Sequence, residues 1–300
     1  MTYVALFTGQ GSQFAGMGRE LYEHDDSARA TLDEADRVLP GLLGLCFEGP
    51  DDQLVRTENT QPCVLAVDVA AYRAYGKTPG IAAGHSLGEY AALVAAGAIA
   101  FEDALPLVRA RARAMQTAVP EGTGGMVALL RMSEDEARAA AAETQSGICE
   151  LANFNAPGQY VMSGEIAAMK ELAERFGRRQ AVLLPVSVPF HSSMLADAAA
   201  QFASTLAEVE IRDAAFPIVS NVDASPRTKA ADLRDALTRQ FASSVLWQPT
   251  IEALFADGHS EFVEFGPKPT LTKMVEQIAK YRGIEVTTKA ISKADDLEGA

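Results

Sequence analysis

Short apolar runs alternate with longer stretches of helical periodicity along most of the chain. The first run, residues 3–7, is apolar throughout, which is typical of a strand buried on both faces of a sheet. After residue 191 the helical period is clear, because Leu195, Ala198 and Phe202 recur at steps of three and four residues. Strands that alternate with helices predict one open, mostly parallel sheet flanked by helices. Further strands are predicted at residues 81–83, 218–219, 261–265 and 286–291.

The pattern changes in the middle of the chain, after a pair of adjacent glycines. Residues 126–189 predict a strand, a helix, two strands, a second helix and a last strand. Ser133 followed by Glu136 has the spacing of a helix capping box. The order βαββαβ is typical of a ferredoxin-like unit. The sequence therefore predicts a ferredoxin-like small domain inserted into a discontinuous larger domain of residues 1–125 and 190–300.

Composition and charge narrow the class of protein. The 300 residues are 48% hydrophobic and 22% charged, as in ordinary globular proteins. A formal net charge of −14 argues against nucleic acid as a partner, because such binding depends on Lys and Arg contacts with phosphates. Three widely spaced cysteines indicate a reducing compartment, and neither a membrane-spanning run nor a signal peptide is visible. We therefore expect a cytoplasmic protein with neither a membrane nor a nucleic acid as partner.

The clearest chemical motif is the pentapeptide Gly84-His85-Ser86-Leu87-Gly88. It fits the pattern GxSxG, with a predicted strand before it and a predicted helix after it. Such a sharp turn lifts the serine hydroxyl above the sheet edge, and the following helix offers the N–H of Leu87 to an oxyanion. We therefore expect Ser86 to be a nucleophile. The alternative is a glycine-rich turn in which the serine only caps the helix.

A serine nucleophile needs a base, and the chain contains four histidines. His24 lies in an acidic run and His259 in a turn, both typical of surface positions. His85 adjoins Ser86, and neighbouring side chains on a tight turn usually point apart. His191 lies between a predicted strand and a helix, where α/β folds carry functional loops, so elimination favours it as the base. No acid stands out as the third member of a triad.

Two further segments carry candidate chemistry. The loop at residues 9–13 follows the first strand, and it is either a second source of an oxyanion N–H or a plain turn. Arg109, Arg111 and Arg113 share one predicted helix, with Arg111 on the opposite side from the other two. A buried arginine there would bind a carboxylate, whereas an exposed one would be solvated. The spacing leaves both interpretations open.

Several motifs occur together along nearly the whole chain. They are GQGSQ at 9–13, TQP at 60–62, GHSLGEYAAL at 84–93, RARAMQ at 111–116, NFNAPGQ at 153–159, PFH at 189–191, SNV at 220–222 and GP at 266–267. In this order they resemble the malonyl-CoA:acyl carrier protein transacylase family, which includes the acyltransferase domains of polyketide synthases.

The resemblance implies a fold and a reaction centre. It implies a hydrolase-like α/β domain with a ferredoxin-like insert, and an active site between the two. It assigns Ser86 as the nucleophile and His191 as the base. The backbone N–H groups of Gln10 and Leu87 would form the oxyanion hole.

The resemblance also assigns residues around that centre. Arg111 matches the arginine that holds the malonyl carboxylate, and the backbone carbonyl of Gln240 matches the group that orients the histidine. Phe190 matches a position at which a bulky Phe goes with malonyl and a Ser with methylmalonyl. Two departures are Thr8, where the family often has Pro, and GPKP at 266–269, which replaces the more usual GPGK.

The activity implied is transfer of malonyl from malonyl-CoA to the phosphopantetheine thiol of an acidic acyl carrier protein. The pathway would be fatty acid or polyketide biosynthesis, and the intermediate malonyl-serine, with no metal or other cofactor. A monomer is the default expectation. The alternatives are a hydrolase that edits carrier-bound acyl thioesters, and a non-catalytic carrier-binding subunit. Arg111 argues against the hydrolase, which would not need it, and Ser86 with His191 argues against the non-catalytic subunit.

Overall fold

The computed structural model describes residues 2–298 of the chain, which contain helices and strands. In chain order they are β1 (Val4–Phe7), α1 (Arg19–His24), α2 (Asp26–Val38), α3 (Leu42–Glu48), α4 (Asp51–Leu54), α5 (Thr57–Tyr75), β2 (Ile81–Gly84), α6 (Gly88–Ala95), α7 (Phe101–Thr117), β3 (Gly124–Leu130), α8 (Glu134–Glu143), β4 (Cys149–Ala156), β5 (Gln159–Glu165), α9 (Ile166–Phe176), β6 (Ala181–Leu183), α10 (Ala196–Glu208), β7 (Ile218–Val219), β8 (Pro226–Arg227), α11 (Ala230–Gln240), α12 (Trp247–Ala256), β9 (Glu261–Phe265), α13 (Leu271–Arg282) and β10 (Thr287–Ile291).

A six-stranded sheet forms the larger part of the molecule, with the strand order β10-β9-β1-β2-β7-β8. Every neighbouring pair is parallel except β7 and β8. The prediction of a mostly parallel sheet flanked by helices is confirmed. Phe7 at the end of β1 lies beside Gly84 of β2 and Phe265 of β9. The loops that follow these three strands therefore meet at one edge of the sheet, where open α/β sheets bind their ligands.

Side chains of β1 alternate between two apolar cores. Ala5 and Phe7 belong to the core formed with α2, α5, α6 and α7. Val4 and Leu6 face the other side of the sheet and pack with Trp247 of α12 and with α13. Both faces are covered, which explains why the strand is apolar at every position.

A four-stranded antiparallel sheet is inserted between β2 and β7, in the order β4-β5-β3-β6. With its two helices it gives the predicted βαββαβ succession and ferredoxin-like strand order. Ser133 caps α8 as expected, because its hydroxyl accepts from the Glu136 N–H at 3.2 Å and its own N–H donates to the Glu136 carboxylate at 2.7 Å. The predicted domain limits, residues 126 and 189, stay a prediction.

Two of the differences between observed and predicted elements have a clear physical reason. The last strand of the small sheet, which the sequence predicts to run from residue 181 to 186, ends at Leu183, because Pro185 has no N–H with which to continue the ladder. The short strand Pro226–Arg227 consists of an exposed proline and a half-buried arginine, so no apolar pattern marks it. Within residues 2–298, no helix combines the length and apolar character that crossing a membrane requires.

Candidate active site

Ser86 occupies a sharp turn between β2 and α6. Its φ angle is 51°, in the left-handed region that residues other than glycine rarely adopt. The flanking glycines make the turn possible by close packing: a Cβ on Gly84 would lie 2.0 Å from the Gly88 carbonyl, and one on Gly88 would lie 2.1 Å from the carbonyl oxygen of Phe7. Only glycine fits at either position, so the GxSxG spacing follows from the geometry.

The backbone of the turn is held by two amide side chains. The Ser86 N–H donates to Asn221 Oδ1 at 2.7 Å, and Asn221 Nδ2 donates to the carbonyl of Gly84 at 2.7 Å. From the other side, Gln240 Nε2 donates to the Ser86 carbonyl at 2.8 Å. The strained conformation is therefore supported by groups from the turn after β7 and from the end of α11, which lie far away in the sequence.

His191 lies directly against Ser86. Its Nε2 is 2.7 Å from Ser86 Oγ, and its Nδ1 is 3.2 Å from the Gln240 carbonyl oxygen and 3.0 Å from that of Ser243. Two carbonyl oxygens can only accept, so this network assigns the hydrogen to Nδ1 and leaves Nε2 free to accept the serine proton. The Gln240 carbonyl lies where the resemblance implied. The Ser243 carbonyl was not predicted.

The environment of His191 favours its neutral form. Burial, the positive charge of Arg111 and that of His85 lower the pKa of His191 to about 3, although its two carbonyl partners act in the opposite direction. The imidazole is therefore uncharged at neutral pH and able to take a proton.

Arg111 is 1% exposed and points at the same serine. Its Nη1 donates to Gln61 Oε1 at 2.9 Å, and its Nη2 donates to Gln240 Oε1 at 2.9 Å and to Ser86 Oγ at 3.1 Å. The guanidinium carbon lies 5.3 Å from the centre of the Tyr90 ring. Within the described part of the chain, no carboxylate comes within 4.0 Å of it. A buried cation is thus held by neutral oxygen atoms.

The other arginines of α7 have a different environment. Arg113 is exposed and pairs with Glu58 at 2.9 Å, while Arg109 is half-buried. The spacing left open whether an arginine of this helix is buried or solvated. The structure shows that Arg111 is buried and that Arg113 is solvated.

The Gln240 side chain is fixed at both of its polar atoms. Its Nε2 donates to Glu89 Oε2 at 2.8 Å, and the same carboxylate oxygen accepts from the Asn221 N–H at 3.1 Å. Burial raises the pKa of Glu89. With nitrogen toward Glu89 and oxygen toward Arg111, the amide has one possible orientation. Gln240 was expected to act through its carbonyl alone, but its side chain also links Arg111 to the serine turn.

A cavity of about 510 Å³ opens beside Ser86. Loops that follow strands of the large sheet line one side of it, and residues of the small sheet, such as Met126 and Val161, line the other. No hydrogen bond joins the backbone N–H of Gln10 or of Leu87 to another residue of the described range. Both residues line the cavity, so both N–H groups are available to a ligand. The cavity collects six of the seven predicted site residues, Gln10, Ser86, Leu87, Arg111, Phe190 and His191; Gln240 lies behind it.

The remaining histidines make no hydrogen bond with Ser86 Oγ within the described residues. His85 also lines the cavity, but its Nε2 is 2.9 Å from Asn155 Oδ1, and its ring centre lies 5.6 Å from that of Trp247. His24 is exposed, and His259 is half-buried just before β9. As expected from the sequence, the His85 side chain is not placed to take the serine proton.

Four residues of the site were not predicted, namely Gln61, Glu89, Asn221 and Ser243. Gln61 and Asn221 lie within the motifs TQP and SNV, which gave a signal of importance but no role. Their partners are more than 20 residues away in the chain, so only the fold shows what they contact.

A serine at a strained strand–helix turn, with a histidine against its hydroxyl, is the arrangement of α/β enzymes that use a serine nucleophile on acyl groups. Within that class, the chain belongs to the family described as the acyl transferase domain, whose model matches residues 2–295. The expected resemblance is confirmed.

Individual relatives agree with this family. The malonyl CoA-acyl carrier protein transacylase of Bacillus subtilis (strain 168) is 41% identical over 302 residues, covering 98% of this chain and 94% of the relative. A crystal structure of an acyl-carrier-protein S-malonyltransferase from Burkholderia pseudomallei 1710b has a TM-score of 0.94 at 40% identity, covering 99% and 98% of the two chains. A type II polyketide synthase acyl carrier protein in complex with its malonyl-transacylase gives 0.93 at 36% identity, over 99% and 98%.

The electrostatic coupling between Arg111 and His191 predicts a measurable shift. Replacing Arg111 by Gln removes a positive charge that disfavours the protonated imidazole, so the pKa of His191 should rise from about 3 toward its ordinary value of 6.5. NMR titration of the ring nitrogens measures it. Arg113→Gln is the matched control, because Arg113 is exposed and paired with Glu58, and it should leave the titration unchanged. An unshifted His191 in Arg111→Gln would contradict the coupling.

Proposed function

We propose that this protein transfers a malonyl group from malonyl-CoA to the phosphopantetheine thiol of an acyl carrier protein. The observation that carries the proposal is the buried Arg111 guanidinium, which lies 3.1 Å from Ser86 Oγ and has only neutral oxygen partners. A desolvated cation without a carboxylate in contact with it is costly, and an acyl group that ends in a carboxylate offsets this cost when it binds. The names of the relatives support the same substrate and partner.

In the first half-reaction, Ser86 Oγ attacks the thioester carbonyl of malonyl-CoA while His191 Nε2 takes its proton. The negative charge that develops on the thioester oxygen is stabilised by the backbone N–H groups of Gln10 and Leu87. The Nδ1–H of the imidazolium stays hydrogen-bonded to the two carbonyl oxygens, which stabilise its positive charge. The carbon–sulfur bond then breaks, and the proton passes from His191 to the leaving CoA thiol.

In the second half-reaction, the pantetheine thiol of the carrier gives its proton to His191 and attacks the malonyl ester. The same two N–H groups stabilise the second tetrahedral intermediate. Its collapse breaks the bond to Ser86 Oγ, which regains the proton from His191. The kinetics are therefore ping-pong, with CoA released before the carrier protein reacts.

Arg111 affects the base as well as the substrate. In the free enzyme its charge is, after burial, the main cause that lowers the pKa of His191. A malonyl carboxylate paired with Arg111 reduces that charge, so the histidine becomes more basic when the acyl group carries a carboxylate. Binding of the correct acyl group and activation of the base are in this way coupled.

We prefer transfer to hydrolysis for the same reason. A hydrolase that edits carrier-bound acyl groups has no need of a buried guanidinium at its nucleophile. We infer that the reaction uses no resident cofactor, because each proton transfer and each charge in it has a partner among the chain's own residues.

Several further properties belong to the proposal. The three free cysteines fit a reducing compartment, which supports the cytoplasm as the location. The two sheets share no strand, which supports a small domain of residues 126–189 between segments 1–125 and 190–300 of a larger one. We further propose that the enzyme acts as a monomer and that its carrier protein is acidic.

The deciding experiment is intact-protein mass spectrometry after brief exposure to malonyl-CoA. We expect a mass gain equal to one malonyl group, absent in Ser86→Ala and discharged by an acyl carrier protein. Release of CoA without a lasting adduct, unchanged by carrier protein, would instead show a hydrolase.

The role of Arg111 predicts a change in acyl preference. Arg111→Ala should lower kcat/KM for malonyl-CoA by about 10- to 150-fold relative to acetyl-CoA, as for the loss of a charged hydrogen bond of about 1.5–3 kcal/mol. Arg113→Ala, two residues further along α7 and exposed, is the control and should keep the preference. A malonyl preference that survives in Arg111→Ala would show that the carboxylate binds elsewhere.

Phe190 is 9% exposed and lines the cavity, where we propose that it excludes a methyl branch next to the thioester. Phe190→Ser should therefore raise the kcat/KM ratio of methylmalonyl-CoA to malonyl-CoA by about 10-fold or more, within the range of about 1–3 kcal/mol for one methylene. Competition between the two thioesters, read by the mass of the adduct, measures the ratio. An unchanged ratio would remove Phe190 from the selectivity determinants.

A further inference from the structure

A line of buried polar groups lies beneath the loop at residues 9–13, and the mechanism above does not use it. Asp68 of α5 is 0% exposed, and its Oδ1 lies 2.7 Å from Thr8 Oγ1. Thr8 Oγ1 in turn lies 3.1 Å from Ser12 Oγ, which donates to the carbonyl oxygen of Gly9 at 2.8 Å. The contacts run without interruption from the interior of a helix to the backbone of the loop.

The available hydrogens decide the charge of Asp68. If its carboxyl is ionised, the hydroxyls of Thr8 and Ser12 supply two hydrogens for three contacts, and one contact has none. If it is neutral, its O–H donates to Thr8, Thr8 donates to Ser12, and Ser12 donates to Gly9, so that all three contacts are hydrogen bonds. The neutral form satisfies the whole line.

The surroundings of Asp68 favour the same form. Burial and the charge of Glu264 raise the pKa of Asp68 well above its usual value, although the Thr8 hydrogen bond opposes them. Its second oxygen, Oδ2, has no hydrogen-bond partner among residues 2–298. A neutral C=O tolerates such a position better than a carboxylate oxygen does. Gly266 leaves room for these contacts, because a Cβ at this position would lie 2.4 Å from Thr8 Oγ1 and 2.6 Å from Asp68 Oδ1.

The far end of the line controls one peptide group. The carbonyl of Gly9 and the N–H of Gln10 belong to the same trans, planar peptide, in which they point in opposite directions. The Gly9 carbonyl accepts from Ser12 Oγ at 2.8 Å and from the Ser12 N–H at 3.3 Å. Holding this carbonyl therefore fixes the direction of the Gln10 N–H on the cavity side.

We propose that Asp68, Thr8 and Ser12 are positioning residues of the oxyanion hole, with neutral Asp68 as the first donor of a hydrogen-bond chain that orients the Gln10 N–H. The inference rests on the proposed function, in which this N–H is one of two oxyanion donors. Asp68 and Thr8 do not line the cavity, and Ser12, which does, directs its hydroxyl to the Gly9 carbonyl. Their effect reaches the reaction through the Gly9–Gln10 peptide alone.

The first test compares Thr8→Val with Thr8→Ser in single-turnover acylation of Ser86 by malonyl-CoA. Thr8→Val breaks the chain and should lower the limiting rate by about 10- to 100-fold, somewhat less than the loss of an oxyanion donor, with the half-saturating concentration changed by less than about threefold. Thr8→Ser keeps the hydroxyl and should restore the rate to within about threefold. Thr31→Val is the matched control, because it deletes a buried hydroxyl, bonded to the Ser27 carbonyl, outside the cavity.

A second pair of variants tests the donor. Asp68→Asn keeps an N–H that can donate to Thr8, so its limiting acylation rate should stay within about fivefold of that of the unsubstituted protein. Asp68→Leu has no donor, so its acylation rate should fall as far as that of Thr8→Val. An equal loss in Asn and Leu would contradict a neutral donor at this position. The double variant Thr8→Val with Ser12→Ala should be acylated at a rate within about threefold of the slower single variant, because both substitutions break the same hydrogen-bond chain. Losses that multiply would overturn the inference.

The outcomes separate this inference from the function on which it rests. If the unsubstituted protein forms no malonyl-Ser86 adduct, the proposed function fails and the inference falls with it. If the protein is acylated normally and Thr8→Val only lowers the melting temperature, with an unchanged limiting rate, the function stands and the inference is wrong. Should Thr8→Val not fold, Ser12→Ala provides the same comparison from the loop end of the chain.

Discussion

The whole site depends on how closely three backbone segments approach one another at the edge of the parallel sheet. Gly88 packs against the carbonyl of Phe7, and Gly84 packs against Gly88, with no space for a side chain at either glycine. Gly9 also packs closely against the serine turn, since a Cβ at this position would lie 2.6 Å from the His85 carbonyl oxygen. This contact brings the end of β1 and the serine turn into one rigid unit. The two proposed oxyanion donors, which come from these two segments, therefore keep a fixed relation to each other.

The second determinant is a cation that the protein buries without neutralising it. Gln61 and Gln240 offer Arg111 their amide oxygens, and Glu89, whose charge acts on Arg111 without forming an ion pair, accepts hydrogen bonds from Gln240 and Asn221. Neutral acceptors hold the guanidinium in place while leaving its charge uncompensated, which an ion pair would not do. After burial, the same charge is the main cause that keeps the adjacent histidine unprotonated. Substrate recognition and base chemistry thus depend on one residue.

The sequence predicted the fold well because its signals are local. Apolar runs marked five of the six strands of the large sheet, and the glycine pair and the Ser133–Glu136 spacing marked the small one. Ser86 and His191 were found as a motif and by elimination, and their contact fits both expectations, although their roles remain a proposal. Spacing did not reveal the burial of Arg111 or the contacts of Gln61, Asn221 and Ser243, because these depend on tertiary packing. Thr8, a departure from the resembled family, gained a meaning only through its contact with Asp68.

The two acceptors of His191 Nδ1 are main-chain atoms, and this has a consequence for how such a site changes over evolutionary time. Any amino acid at position 243 still presents a carbonyl oxygen, so substitution there leaves the orientation of the imidazole intact as long as the backbone keeps its path. A triad acid, by contrast, is lost through a single replacement. Substitutions at position 243 can therefore accumulate without removing this acceptor. What must be kept for the histidine to stay oriented is the path of the backbone after α11, not the identity of a side chain.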